Sequence, residues 1–149
     1  MPQAQFFLMP DTLMTSSAID DVLHSACLLT EQYYRQQQTI YIHCQDKQQA
    51  HQMDELLWQL DPLSFVPHNL KGEGLHTGSP VEIGFDPVGP NKSRQVLINL
   101  ADQVPQFAVN LPHIIDFVAQ DTALKQAARL RYRQYQQLGM QVNTQPLAV

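Results

Sequence analysis

The stretch HIIDFV, residues 113–118, is followed after two residues by DTALKQAARLRYRQYQQLG, residues 121–139, and these two segments give the clearest indication of the fold class. The first is short, apolar and β-branched, which is typical of a buried strand. In the second, Asp121 is suited to cap a helix and Gly139 occupies the position where a helix ends. A strand leading directly into a helix is half of a βαβ unit, so it indicates a parallel sheet.

Similar units lie toward the N-terminus. One helix begins at Ser17 or Asp20 and has apolar residues spaced by three and four. Another follows Asp46, runs through Leu60 and stops at Pro62. The other extended segments are QAQFFLM (3–9), TIYIHC (39–44), SFVPHNL (64–70), VEIGF (81–85) and QVLINL (95–100).

Alternating strands and helices predict one α/β domain over residues 1–149, with a largely parallel sheet covered by helices on both faces. Two segments give weaker signals. Residues 107–111 lie between prolines and are too short to assign. The polar segment MQVNTQPLAV, about residues 140–149, is expected to be a loosely held tail.

The sequence lacks a nucleotide-binding fingerprint. The loop after the first strand, PDTLMTSSA (10–18), contains no glycine, whereas a dinucleotide site needs glycines there. The glycine cluster LKGEGLHTG (70–78) precedes a strand, so it lacks the helix N-terminus that would hold phosphate. An orphan nucleotide-binding enzyme of the α/β class stays the alternative hypothesis.

Metal or catalytic sites are not indicated either. His43 and Cys44 point to opposite faces of one strand and therefore cannot share an ion. Ser64 and Ser79 lack the G-x-S-x-G setting. The remaining candidates have no paired metal-ligand spacing; they are His51, His68, Glu73, His76 and Glu82. We expect no metal, no cofactor and no enzymatic activity of the chain itself.

Charge is distributed unevenly. The chain carries 9 basic and 14 acidic residues, a net charge of −5, which argues against a protein that grips duplex DNA. After Asp121 there is no acidic residue, while four of the nine basic residues lie between 125 and 133. Helical spacing puts Lys125, Arg129, Tyr132 and Arg133 on one face.

The opposite face of this helix should pack on the sheet and consists of Leu124, Ala128, Tyr135 and Leu138. Arg131 falls among these apolar positions, so we expect it to reach a carboxylate or to lie at the boundary. The basic face is either an ordinary solvated surface or a site for a short acidic peptide. Similarly, Trp58 is either a core aromatic or an apolar anchor beside that face.

Two blocks of sequence resemble the chi subunit of bacterial DNA polymerase III. The first is SFVPHNLKGEG followed by SPVEI, within residues 64–83, and the second is IIDFV with LKQAARLRYRQY, within residues 114–135. FFLM near the start and DELLW in the second helix agree more loosely. The resemblance covers essentially the whole chain, although residues 85–94 match poorly.

This resemblance implies a non-catalytic accessory subunit of the replicase with a Rossmann-like fold. Chi proteins pair one-to-one with the psi subunit, which links them to the clamp-loader complex. They also bind the tail of single-stranded DNA-binding protein, which is acidic and ends in Pro-Phe with a free carboxylate. As a component of a DNA-directed DNA polymerase holoenzyme, such a subunit can carry the enzyme's label by association.

The resemblance also assigns residues. Lys125 and Arg129 match the family's basic pair for the tail, and Trp58 matches the aromatic beside it, with Tyr132 and Arg133 as weaker candidates. Phe65 and Val118 match positions at the psi surface, although both could equally be core residues. No stretch reaches the roughly 18 apolar residues of a membrane span, and the N-terminus is unlike a signal peptide, so a cytoplasmic protein is expected.

Overall fold

The computed structural model describes residues 2–11, 17–60, 63, 65–73 and 79–147. Within these residues, seven strands form one sheet. They are β1 (Gln3–Leu8), β2 (Ile40–His43), β3 (His68–Leu70), β4 (Val81–Gly84), β5 (Val96–Asn99), β6 (His113–Val118) and β7 (Gln141–Pro146). Their order is β3-β4-β2-β5-β6-β1-β7, and each neighbouring pair is parallel. The predicted parallel α/β architecture is confirmed.

The described residues also form three α-helices, which connect β1 to β2, β2 to β3 and β6 to β7: α1 (Ala18–Arg35), α2 (Lys47–Trp58) and α3 (Thr122–Gln137). The side chains of Ser17, Asp46 and Asp121 each accept a hydrogen bond from a backbone N–H of the first turn. These caps satisfy N–H groups that have no partner within the helix. At the other end of α3, Gly139 has φ +85°, so the expected helix stop is confirmed.

The two faces of the sheet carry separate cores. Residues from α1 and α2 pack on one face against Ile42, Ile98 and Phe117. On the other face, α3 and a 3-10 helix (Gln106–Asn110) pack against side chains such as Phe6 and Ile114. Because side chains alternate along a strand, Ile114 and Phe117 of β6 belong to opposite cores. Helices therefore cover both faces, as expected.

The C-terminal segment is the main correction to the predicted fold. Residues Gln141–Pro146 form the edge strand β7 beside β1, with Phe6 opposite Thr144, whereas a loosely held tail was expected. Only one of its six residues, Val142, is even partly buried, so the strand has no apolar alternation to identify it. The unassigned segment at 107–111 forms most of the 3-10 helix.

A buried histidine makes the stability of the fold depend on pH. His43 on β2 packs edge-on against Phe107, with ring centroids 5.1 Å apart. Burial lowers the pKa of His43 to about 4, although the charge of Asp86 opposes this effect. An unfolded chain would take up this proton near pH 6.5, so the contribution of neutral His43 is present above that pH and is lost as pH falls toward 4.

We therefore expect the free energy of unfolding to fall by about 2–3 kcal/mol more in the wild type than in His43→Leu between pH 7 and pH 4. Urea titrations at several pH values, followed by circular dichroism, measure this difference. Parallel pH profiles for the two proteins would show that His43 does not control this dependence.

Candidate functional site

Helix α3 is fixed on the sheet by a buried ion pair. The Arg131 Nε donates to Asp116 Oδ2 at 2.9 Å, and Arg131 Nη2 donates to Asp116 Oδ1 at 3.0 Å. Burial alone would lower the pKa of Arg131, but the adjacent Asp116 raises it, so the guanidinium stays charged. The expectation that Arg131 reaches a carboxylate is confirmed.

Further polar contacts complete this anchor. The Tyr135 hydroxyl donates to Asp116 Oδ2 at 2.9 Å, and Asn99 Nδ2 lies 3.3 Å from the same hydroxyl oxygen. Burial and the Asp116 carboxylate raise the pKa of Tyr135 well above its usual value. Since Arg131 and Tyr135 point toward the sheet, helical geometry turns Arg129 and Arg133 outward.

Beside this anchor, α3 and the sheet enclose an open hollow of about 350 Å³. Half-buried Val118 and Tyr132 provide apolar surface above the buried side chains of Phe6 and Ala128, and the hollow is also lined by Arg129, Arg133, Gln136 and Thr144. Tyr132 packs on Phe6 with ring centroids 5.4 Å apart. The hollow thus combines an apolar floor with two arginines at its rim.

These cations are available for a ligand. Arg129 and Arg133 are exposed, and neither makes an ion pair with any residue that the structure describes. Lys125 lies one helical turn before Arg129 on the same face, half-buried and also without an ion pair in the described part of the chain, although it does not line the hollow. An apolar floor with an uncompensated basic rim suits a peptide with both carboxylates and an apolar side chain.

One residue of the predicted packing face lies elsewhere. Leu138 is the C-cap residue of α3 and is 47% exposed, whereas Ala128 and Tyr135 are buried as expected. The helix ends before Leu138 can turn its side chain onto the sheet.

Trp58 does not lie beside the basic face. It ends α2 on the opposite face of the sheet, and its ring lies 4.8 Å from His68 of β3 and 5.5 Å from Phe65. Five strand spacings of about 4.8 Å separate β3 from β1 under the hollow, a distance of about 24 Å. The expectation that Trp58 walls the same pocket as Arg129 is therefore wrong.

Trp58 and Phe65 instead form a second surface, which we call the Trp58 surface and which also includes Leu63. The side chains of Trp58, Phe65 and Leu63 are 59%, 47% and 89% exposed, respectively. Two exposed aromatic rings in contact make a contiguous apolar patch, which is typical of a contact surface. Neither Trp58 nor Phe65 is a core residue.

A buried histidine supports the Trp58 surface from beneath. The Nδ1 of His68 lies 2.8 Å from the carbonyl oxygen of Val66, and its Nε2 lies 3.2 Å from Asp54 Oδ1 on α2. The contact between Nδ1 and the Val66 carbonyl orients the ring, whereas Nε2 faces the Asp54 carboxylate without hydrogen-bond geometry. The His68 ring packs against the indole of Trp58, with the two ring planes inclined by 58°.

Val118 also lies where the sequence did not predict it. It is half-buried on β6 and lines the hollow with Arg129, whereas Phe65 belongs to the Trp58 surface. The expectation that one apolar surface includes both Phe65 and Val118 is therefore wrong. Phe6 and Thr144 were missed altogether as lining residues, and a correct assignment of β7 beside β1 would have identified both.

Other kinds of site receive little support from the described residues. Within them, no group of three His, Cys, Asp or Glu side chains could hold a metal ion. In the glycine cluster, Gly72 has φ +88° in a turn and Lys71 pairs with Asp86 at 3.0 Å, while Gly74 and Gly78 lie outside the described residues. No described helix is long and apolar enough to cross a membrane.

The fold is shared with an unrelated sequence. A crystal structure of T4 UvsW matches 97% of this chain with a TM-score of 0.63, at 6% sequence identity. The match covers 41% of the UvsW chain. At this identity the similarity shows the fold alone.

Similarity in sequence, unlike the similarity in fold, identifies the family of the chain. The family model described as "DNA polymerase III chi subunit, HolC" matches residues 1–143. DNA polymerase III subunit chi of Escherichia coli is 37% identical over 144 residues, covering 97% of each chain, and that of Haemophilus influenzae is 38% identical, covering 95% of each. The subunit of Pseudomonas aeruginosa is 32% identical over 93% of this chain and 92% of its own. The chain therefore belongs to the DNA polymerase III chi subunit family.

Proposed function

We propose that this chain is a non-catalytic accessory subunit of the replicase in the cytoplasm, where it binds the acidic C-terminal tail of single-stranded DNA-binding protein. The observation that carries this proposal is the hollow beside α3. Its rim bears Arg129 and Arg133 without ion-pair partners among the described residues, on a chain whose net charge is −5.

The rim and the floor of the hollow suit the two parts of such a tail. A guanidinium can bind a carboxylate through two parallel hydrogen bonds, so Arg129 suits the terminal carboxylate. The apolar surface of Val118 and Tyr132 suits the last side chain of the peptide. Lys125, one turn away, suits an acidic residue further along the tail.

We also propose that the Trp58 surface binds the psi subunit and thereby links the chain to the clamp-loader complex. A permanent subunit contact requires an apolar centre, and Trp58, Leu63 and Phe65 provide one. Its position on the opposite face of the sheet leaves the hollow open, so both partners can bind together.

The peptide proposal predicts a specific loss of affinity. Arg129→Ala should weaken binding of an acidic peptide ending in Pro-Phe by about 1.5–3 kcal/mol, because a charge-assisted hydrogen bond is lost. Lys125→Ala should cost less, since an ammonium at a half-exposed position is screened by water and salt. Wild-type affinity should fall with rising salt, and more steeply than that of Arg129→Ala.

Titration of a labelled peptide at two salt concentrations measures these effects, and circular dichroism verifies folding. Leu130→Ala is the matched control, because Leu130 is 61% exposed on α3 and does not line the hollow. If folded Arg129→Ala binds the peptide as tightly as wild type, the basic face is an ordinary solvated surface.

A further inference from the structure

The outer edge of β7 borders the hollow and has an unusual set of backbone groups. The N–H of Gln141 donates to the Pro2 carbonyl at 3.3 Å, and the N–H of Leu147 donates to the Leu8 carbonyl at 3.0 Å. In a parallel ladder, alternate residues of a strand bond to the same neighbour. Residues 143 and 145 therefore bond to β1 as well.

The intervening residues direct their backbone groups away from β1. These are Val142, Thr144 and Pro146, whose side chains share the α3 face with Phe6. The carbonyl of Val142 accepts a hydrogen bond from the Tyr132 hydroxyl at 3.4 Å, and Pro146 has no N–H. The outer edge thus offers two N–H groups, at Val142 and Thr144.

Within the described residues, no strand pairs with this edge. A free edge strand is a template for another extended chain. Here the template is short, because Pro146 blocks its continuation. The Thr144 side chain lines the same hollow as Arg129 and Arg133, so a chain lying along β7 would pass directly under the basic rim.

We propose that the acidic peptide binds as an additional strand on β7, with its backbone pairing with Thr144 while its carboxylates reach Arg129 and Arg133. The occupant is an extended acidic peptide because cations without ion pairs among the described residues border this edge. The inference rests on the proposed function of the hollow and adds the binding mode. Main-chain pairing explains how a short peptide is aligned on a shallow, open hollow.

Hydrogen exchange of individual amides tests this binding mode. In the free protein, the amides of Asn143 and Gln145 should be protected and that of Thr144 should exchange rapidly. Saturation with a synthetic acidic peptide ending in Pro-Phe should slow exchange at Thr144 by at least about tenfold. Rapid exchange at Thr144 in the saturated complex would overturn the proposal, as would protection in the free protein through pairing of two copies.

A pair of variants provides a second readout. Thr144→Pro removes the outward N–H and no hydrogen bond to β1, and the strand already contains Pro146 at an equivalent position. It should weaken peptide binding about tenfold relative to Thr144→Val, which changes the side chain but keeps the N–H. Equal binding by folded Thr144→Pro contradicts strand addition.

The two proposals can fail separately. If binding depends on Arg129 but leaves the Thr144 amide unprotected, the hollow binds the peptide and strand addition is wrong. If the peptide does not bind the wild-type protein, both proposals are wrong.

Discussion

Arg131→Met should lower the free energy of unfolding by about 3–5 kcal/mol, because it leaves the carboxylate of Asp116 buried without its counter-charge. Asp116 is 1% exposed and receives three of its hydrogen bonds from Arg131. Methionine preserves helix propensity and much of the side-chain volume, so the loss reports on the ion pair. Urea unfolding at pH 7, followed by circular dichroism, measures it.

The double variant Arg131→Met with Asp116→Leu distinguishes an unpaired charge from poor packing. Replacing both partners by apolar side chains should restore most of the lost stability, since no buried charge remains. The Tyr135 hydroxyl would still lose its acceptor, so we expect recovery to be incomplete. If the free energy of unfolding of Arg131→Met alone stays within about 1 kcal/mol of wild type, α3 does not depend on this anchor.

The anchor shows how far sequence patterns reach. The helical spacing of α3 put Arg131 on the apolar face, and a cation there requires a carboxylate, so a partner could be predicted. Which carboxylate it meets depends on the strand beneath α3. That strand is β6, the one directly before the helix in sequence. Local order along the chain was therefore sufficient for this contact.

Trp58 required more information than local order gives. The chain moves across the sheet in one direction from β1 through β2 to β3, and in the other from β6 to β7. Because parallel crossovers are right-handed, this reversal puts α1 and α2 on one face and α3 on the other. The order of the strands could not be predicted from the sequence, so Trp58 and Arg129 could not be assigned to opposite faces of the sheet.

The same reasoning applies to β7. Its side chains are nearly all exposed because it is an edge strand lying beyond the cores, so the apolar signal that identified the inner strands is absent. Arg129, Tyr132 and Arg133 nevertheless share the side of α3 that lines the hollow, as the helical spacing predicted. The floor of the hollow could not be predicted from the sequence, because β1, β6 and β7 build it together from distant parts of the chain.

The separation of the two surfaces leads to a reciprocal prediction. Phe65→Glu should weaken psi binding by about 2–5 kcal/mol, because it places a charge in an apolar contact. The variant should fold, since Phe65 is 47% exposed, and it should bind the acidic peptide as wild type does. Phe65→Leu is the matched control and should retain most of the psi affinity.

Val118→Glu should have the opposite specificity. A carboxylate at this position lies in the hollow with Arg129 and Arg133, so it would occupy the cations that the peptide needs and repel its acidic groups. Peptide affinity should fall by about 2–5 kcal/mol while psi binding is unchanged. Peptide titration and size-exclusion chromatography with purified psi measure the two affinities. Loss of psi binding in a folded Val118→Glu protein would mean that psi contacts the α3 side of the sheet, and the two-surface arrangement would be wrong.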